Sequence, residues 1–442
     1  SADVIYRRAF RAANDSLRFS AQPGTPLAIR GFSGTGVAIY DVTNPAVPHA
    51  VSARVMSAVD GYVLLATAPG KSLRQLLAVG PGGYATPDSI QPVSQMNLMT
   101  GGANYVVVAY DSMLPAAQQL AALRTAEGLS TQVVPVSAVY DAFGTGVPDA
   151  DAIAAFVRQA ASHWSPAPQY MVLLGSASYD SHNYLGLGNQ DLVPTGYAVT
   201  RDASRTASDV VLAGSNGSSP VLMALGRLPA RTPAEATALV NKLIAYSTTN
   251  HQWTGQVALV ADQDETLSFN TASESLAGTL GTLSLDRVYQ SIYGANTGTQ
   301  IVNSLNAGRA LVNYYGHASF GYWGADHIFN STYLSQVNNT GHEAFVTSMT
   351  CFAGDYDRPQ GDALASQLLL KTNGGAIGVL AATGVSIPDG QHEMNTAFYA
   401  GLLSGQRVGD AFRAGQAATL DAEVVVQFNL LGDPAQRVDL GQ

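Results

Sequence analysis

The sequence predicts an α/β protein: a mainly parallel sheet covered by helices, preceded by an antiparallel β-sandwich. Two observations carry that expectation. From residue 103 onward, apolar strand-like runs alternate with helical ones, the pattern of strands joined by crossover helices. Before about residue 98, short runs with turn residues between them take their place. A third observation concerns function, since two of the later runs end on residues that carry chemistry, His317 and Cys351.

The elements follow in order. "LAIRGF", "GVAIYDV", "GYVLLATA" and "RQLLAVG" are punctuated by "QPGTP", "DVTNPAVP", "APGK" and "GPGG", which reads as a sandwich over 1–98. The "PGKS" there is not a phosphate-binding loop, because Leu65 stands where the first glycine of that motif belongs. Then "NYVVVAY" precedes "LPAAQQLAALRTAEG", "TQVVPV" precedes "DADAIAAFVRQAASHW", and "QYMVLLGS" follows. "RTPAEATALVNKLIAYS" opens as a helix should, with Thr232 as cap, Pro233 in the first turn and Glu235 completing a capping box. "QVALVAD", "DRVYQSIY" and "TGTQIVNSLNAG" continue the alternation. The run "TTNHQWTG", 248–255, reads as a seam, giving α/β subdomains over 103–247 and 248–442.

Bulk properties exclude several classes. The net charge is −10, and 22 Lys and Arg spread thinly leave no basic stripe for a nucleic acid. No apolar run approaches the roughly 18 residues that cross a bilayer. "SADVIYRRAF" shows no apolar leader core, as a trimmed precursor also would not. One cysteine builds neither an internal disulfide nor a Cys-rich zinc site. A lone buried cysteine is usually a space-filler, and a histidine after a glycine is usually a turn residue. Here both end strands one crossover apart, and functional groups of open α/β sheets gather at the carboxyl ends of strands. An imidazole at that edge can draw the proton of a thiol. A metal reading from His317, His327, His342, Asp355 and Asp357 ranks low, because their spacing matches no ligand motif. No serine elbow exists either, since "GFSGT" has Thr35 in place of the last glycine.

"ALVNYYGHASFGYW" and "FVTSMTCFAGDYD" resemble the histidine and cysteine segments of the gingipain family of cysteine peptidases, whose fold is caspase-like. "YMVLLGSASYD", "PTGYAVTRDASRTASD", "ALGRLPARTPAEATALVNKLIAYS", "GGAIGVLAATG" and "FNLLGDPAQRV" extend the resemblance, in order, over about 103–440. It implies a cysteine endopeptidase with Cys351 as nucleophile and His317 as general base and acid. Backbone N–H groups of Cys351 and Ala318 would hold the oxyanion; the family usually has glycine where Ala318 stands. A third, acidic member is implied near "TASD", with Asp209 the candidate, Asp202 behind it, and Thr206 where the family places its acid. Asp389, in "TGVSIPDGQHEM", and Trp323 are the substrate-binding candidates; a local P-D-G turn competes for Asp389. The loop "AGSNGSSP" lacks the acids common there. No cofactor is implied, and calcium enters only as a candidate structural ion. The implied partners are protein or peptide substrates and the further domains of a longer exported or surface-bound bacterial precursor. Rivals are a sortase-like transpeptidase using the same residues and a catalytically silent adhesion module.

Overall fold

The computed structural model describes residues 9–87, 90, 92–188, 190–203, 205–249, 253, 255–264 and 268–441. The expected seam over 248–255 falls partly, and the first eight residues wholly, outside the described residues. The chain forms two compact units that divide between Pro92 and Val93.

The named strands of the first unit all pair antiparallel. β1 (Ser16–Ala21), β3 (Ala38–Asp41), β4 (His49–Ala50) and β7 (Arg74–Val79) form one sheet in the order β1-β7-β3-β4. β2 (Pro26–Phe32), β5 (Ala53–Ala58) and β6 (Gly61–Thr67) form another, with β6 central. Their inward residues share one apolar core that includes Leu27, Ile29, Phe32, Leu64 and Leu76. In β2, Leu27 and Ile29 alternate inward as the period of a strand dictates. The register then slips between Ile29 and Phe32, where Gly31 takes φ +88°, so Phe32 reaches the core one residue late.

The second unit is built on ten strands: β8 (Tyr105–Ala109), β9 (Thr131–Pro135), β10 (Tyr170–Leu174), β13 (Ala224–Leu228), β14 (Gln256–Ala261), β15 (Ser284–Tyr289), β16 (Leu311–Tyr315), β20 (Ala344–Met349), β21 (Ala376–Ala382) and β22 (Phe428–Gly432). Their order is β15-β14-β16-β20-β21-β22-β13-β10-β8-β9. The pairing is mostly parallel, and β22 runs antiparallel to β21. Helices cover both faces, so strands such as "YVVVA" and "YMVLL" are buried at every position. Alternate residues feed the two faces: Val107 and Val172 pack into one core, Val106 and Met171 into the other. Each such side chain contributes roughly 1.5–3 kcal/mol by leaving water. Among the described residues, no helix is long and apolar enough to cross a membrane.

Three small hairpin strands, β17 (Ala318–Ser319), β18 (Tyr322–Trp323) and β19 (Phe329–Asn330), fill the connection from β16 to β20. The helix Ser331–Ser335 completes that crossover, capped by the Asn330 side chain. β11 (Tyr197–Ala198) and β12 (Thr206–Ala207) form a separate hairpin.

Candidate active site

β16 and β20 are parallel neighbours with Tyr315 opposite Met349. His317 and Cys351 each lie two residues beyond that pair, at equivalent positions on strands about 4.8 Å apart. The parallel register therefore carries imidazole and thiol off the same edge.

The glycine between strand and histidine has a steric cause. A Cβ at Gly316 would run into the Tyr314 hydroxyl and the Asp262 side chain. With that space open, Asp262 Oδ2 accepts the His317 backbone N–H at 3.0 Å. The His317 carbonyl accepts from the Tyr314 hydroxyl at 2.6 Å and from the Gly324 N–H at 2.8 Å. The backbone of His317 is thus held on both sides while its ring stays exposed, edge-on to Phe269 with centroids 5.1 Å apart.

Cys351 occupies a tight reversal. The Ala353 N–H donates to the Cys351 carbonyl at 2.7 Å, and Phe352 is held at φ +54°, a region side chains avoid. Such strain persists only where neighbours enforce it; here the Phe352 N–H donates to the Gly384 carbonyl at 3.1 Å. The half-buried Sγ accepts from the Ser386 N–H at 3.4 Å, and the thiol faces the Ser386 carbonyl at 3.6 Å. Burial pushes the thiol pKa up, the Ser386 N–H opposes that rise, and the negative charge of Asp202 adds to it.

Two backbone N–H groups beside these side chains are not used by the fold's own ladders. Among the described residues, none accepts the Cys351 N–H. The Gly324-to-His317 bond makes Ala318 and Trp323 the non-hydrogen-bonded pair of their hairpin, so the Ala318 N–H points away from β18.

The other candidates are distributed differently. Asp209 is the counter-ion of a buried arginine: Arg227 Nε and Nη2 donate to its two oxygens at 2.7 Å each, and Thr195 donates to Oδ1 at 2.8 Å. That carboxylate is committed to Arg227, and the acid the structure brings to His317 is Asp262. Thr206 is buried with its hydroxyl 3.1 Å from that of Thr200. Asp202 is exposed at the β11–β12 hairpin. Trp323 is 1% exposed, stacked on Tyr314 at 4.5 Å, and donates its indole N–H to Ser348. It supports the histidine loop from below and offers a substrate no surface. Asp389 is exposed in the first turn of the helix Pro388–Leu403, so "PDG" begins a helix and Asp389 faces solvent, not a pocket floor. His327 packs against the Tyr322 ring and His342 meets Trp253 edge-on, away from any shared ligand set. Among the described residues, no cluster of three or more His, Cys, Asp or Glu is placed to hold a metal ion.

Asp262 is the residue that sequence reading missed. Its signal was present in "QVALVAD", a strand that ends on an acid beside the strand that ends on histidine. Burial raises its carboxyl pKa, while the His317 and Gln263 N–H groups and the charge of His317 pull it down. Beyond the cysteine, Asp355 is pushed up to about 7 by burial and by Asp357, with Arg358 opposing.

Residues 99–439 match the family model described as peptidase family C25. Gingipain R2 of Porphyromonas gingivalis is 25% identical over 141 residues, which is 30% of this chain and 19% of that relative. The chain therefore aligns with less than a fifth of the length of the curated relative. The crystal structure of the Arg-specific cysteine proteinase gingipain R superposes with TM-score 0.64 at 18% identity, covering 79% of this chain and 80% of that one. Dimeric latent PorU from Porphyromonas gingivalis aligns with TM-score 0.51 at 16% identity, over 98% of this chain and 40% of that one. At such identities the likeness is one of fold, caspase-like in the larger unit.

Proposed function

Because the chain belongs to peptidase family C25, we propose that it is a cysteine endopeptidase in which Cys351 attacks and His317 carries protons. The observation that carries this reading is the matched placement of the two side chains past the Tyr315–Met349 pair, with the His317 backbone held by Asp262.

In this reading the resting thiol is protonated, since burial raises its pKa. On substrate binding, the imidazole takes the thiol proton and Sγ bonds to the scissile carbonyl carbon. The carbonyl π electrons move onto oxygen, where the Cys351 and Ala318 N–H groups receive the charge. Collapse breaks the C–N bond, and the imidazolium protonates the leaving amine. Water, deprotonated by the same imidazole, then attacks the thioester and releases the acid and the thiol. Asp262 acts as a positioning residue: it fixes the His317 backbone and places negative charge near the imidazolium.

For specificity, the solved gingipain R is Arg-specific by name. Asp202 is the acid whose charge reaches the Cys351 thiol. We assign to it the recognition of a basic residue before the scissile bond. The natural substrates are proteins or peptides, and the setting is a secreted or surface-exposed bacterial one, both on the strength of family membership.

The test is turnover of a peptide library by wild type, Cys351→Ala and His317→Ala. Both variants should lose hydrolysis, the histidine change costing about 10²–10⁴ in rate, with unfolding midpoints close to wild type. Cleavage that persists in Cys351→Ala would overturn the mechanism. Adding an amine nucleophile separates hydrolysis from transfer, because only a transpeptidase diverts the acyl group largely to the amine.

A further inference from the structure

A cavity of about 390 Å³ opens past the carboxyl ends of β14 and β15. Gln263, Gln290, Gly298, Asp326, His327 and Tyr333 are among its lining residues. Gln263 follows the positioning acid Asp262 directly, and Asp326 and His327 come from the same loop that begins with His317. The sheet order β15-β14-β16-β20 puts the histidine strand between this cavity and the cysteine strand.

Reaction chemistry gives that order a direction. The leaving amine must come within reach of the imidazole that protonates it, so the chain beyond the scissile bond departs on the imidazole side of the sulfur. The acyl side lies toward β21, where Ser386 flanks Sγ. One or two strand spacings beyond His317 is about 5–10 Å, which two or three extended residues cover at about 3.3 Å each.

The cavity also has a built polar group. Gln290 is 6% exposed, accepts from the Gln263 N–H at 3.2 Å, and donates through Nε2 to Asp326 Oδ2 at 2.8 Å. A buried amide with both ends engaged thus aims one carboxylate oxygen and leaves Oδ1 without a bond among the described residues. His327, beside it, takes φ +56°, in the left-handed region.

We infer that this cavity is a subsite for the leaving-group side of the substrate, taking a lysine or arginine side chain two or three residues after the scissile bond through Asp326. This rests on the peptidase reading above. The competing occupant is an acidic side chain drawn to the amino end of the helix Thr297–Asn306, whose Gly298 lines the same cavity.

The experiment is a set of peptides with one fixed sequence before the scissile bond and every residue type at the second and third positions after it. It is cleaved by wild type, Asp326→Asn and Asp326→Lys. Asp326 is exposed, and asparagine can still accept from Gln290. Wild type should favour Lys or Arg by roughly two- to fivefold in kcat/KM, the scale of an exposed ion pair. Asp326→Asn should flatten that preference and Asp326→Lys invert it toward acids, with the profile before the scissile bond the same in all three. A flat or acid-favouring wild-type profile, or a basic preference that survives both changes, overturns the subsite. If wild type cleaves nothing that Cys351→Ala does not, the peptidase reading fails and takes this inference with it.

Discussion

Asp209 and Asp262 are buried to nearly the same degree, 4% and 3% exposed, and both follow strand-like runs in the sequence. Their surroundings differ in one respect that decides their roles. Asp209 faces Arg227, fully buried, whose guanidinium spans both carboxylate oxygens and whose remaining N–H groups donate to the Gly175 and Val193 carbonyls. Asp262 accepts backbone N–H groups, those of His317 and Gln263 among them, and the charge it answers is that of His317. A carboxylate matched to a permanent cation holds a fold together. One matched to a group that gains and loses a proton can respond to chemistry.

The largest expected effect breaks the first half of that comparison. Asp209→Ala leaves Arg227 charged, buried and unmatched, which costs about 3–5 kcal/mol. Urea titration should show the midpoint falling with the slope unchanged. The double change Asp209→Leu with Arg227→Met should restore most of that loss, since a buried pair replaced by apolar groups of similar volume is often neutral. A single variant as stable as wild type would mean that Asp209 does not serve as a counter-ion.

Asp262→Asn tests the other half. It keeps the shape and an acceptor for the His317 N–H but removes the charge. Loss of the acid–base itself costs about 10²–10⁴ in rate, and a positioning group should cost a fraction of that, about tenfold to a hundredfold in kcat. KM and the thermal midpoint should hardly move, and the acid limb of the pH–rate profile should shift. A change in KM alone would assign Asp262 to substrate binding.

How much of this was legible in the sequence follows from the same contrast. The alternation from residue 103 is visible because buried parallel strands are continuous apolar runs, and the ten-stranded sheet is built from those runs. His317 and Cys351 are visible because a strand that ends on a polar, reactive residue breaks that pattern. Asp209 was chosen by position in a resemblance, and sequence spacing carries no information about Arg227, which reaches it across the fold. Asp262 obeyed the strand-end rule, yet its pairing with the histidine depends on β14 lying next to β16, a matter of sheet order. Trp323 looked like a binding aromatic because its stacking on Tyr314 is a tertiary contact.

The thiol sharpens the comparison from another side. Its raised pKa means that the neutral form persists to higher pH than for a free thiol near 8.5. Iodoacetamide should therefore react with the ligand-free protein more slowly than with a free cysteine at pH 7–8, and the rate should keep rising above pH 9. Asp202→Asn removes a like charge, lowers the thiol pKa, and should speed alkylation at pH 8 about two- to fivefold, within the reach of an exposed charge. A fast, pH-independent reaction at neutrality would show instead a standing thiolate–imidazolium pair.

The smallest effect belongs to Asp389. As an exposed acid in the first turn of the helix Pro388–Leu403, it interacts with the partial positive charge of that helix end. Such an interaction contributes about 0.3–1 kcal/mol and is screened by salt. Asp389→Asn should thus lower the unfolding midpoint slightly at low ionic strength and hardly at all in high salt. The preference before the scissile bond should stay as it is, because Asp389 is solvent-exposed and that preference is assigned to Asp202. A tenfold fall in cleavage after Arg or Lys in Asp389→Asn, with no change in Asp202→Asn, would reverse the two assignments and move the recognition of basic residues to the loop after β21.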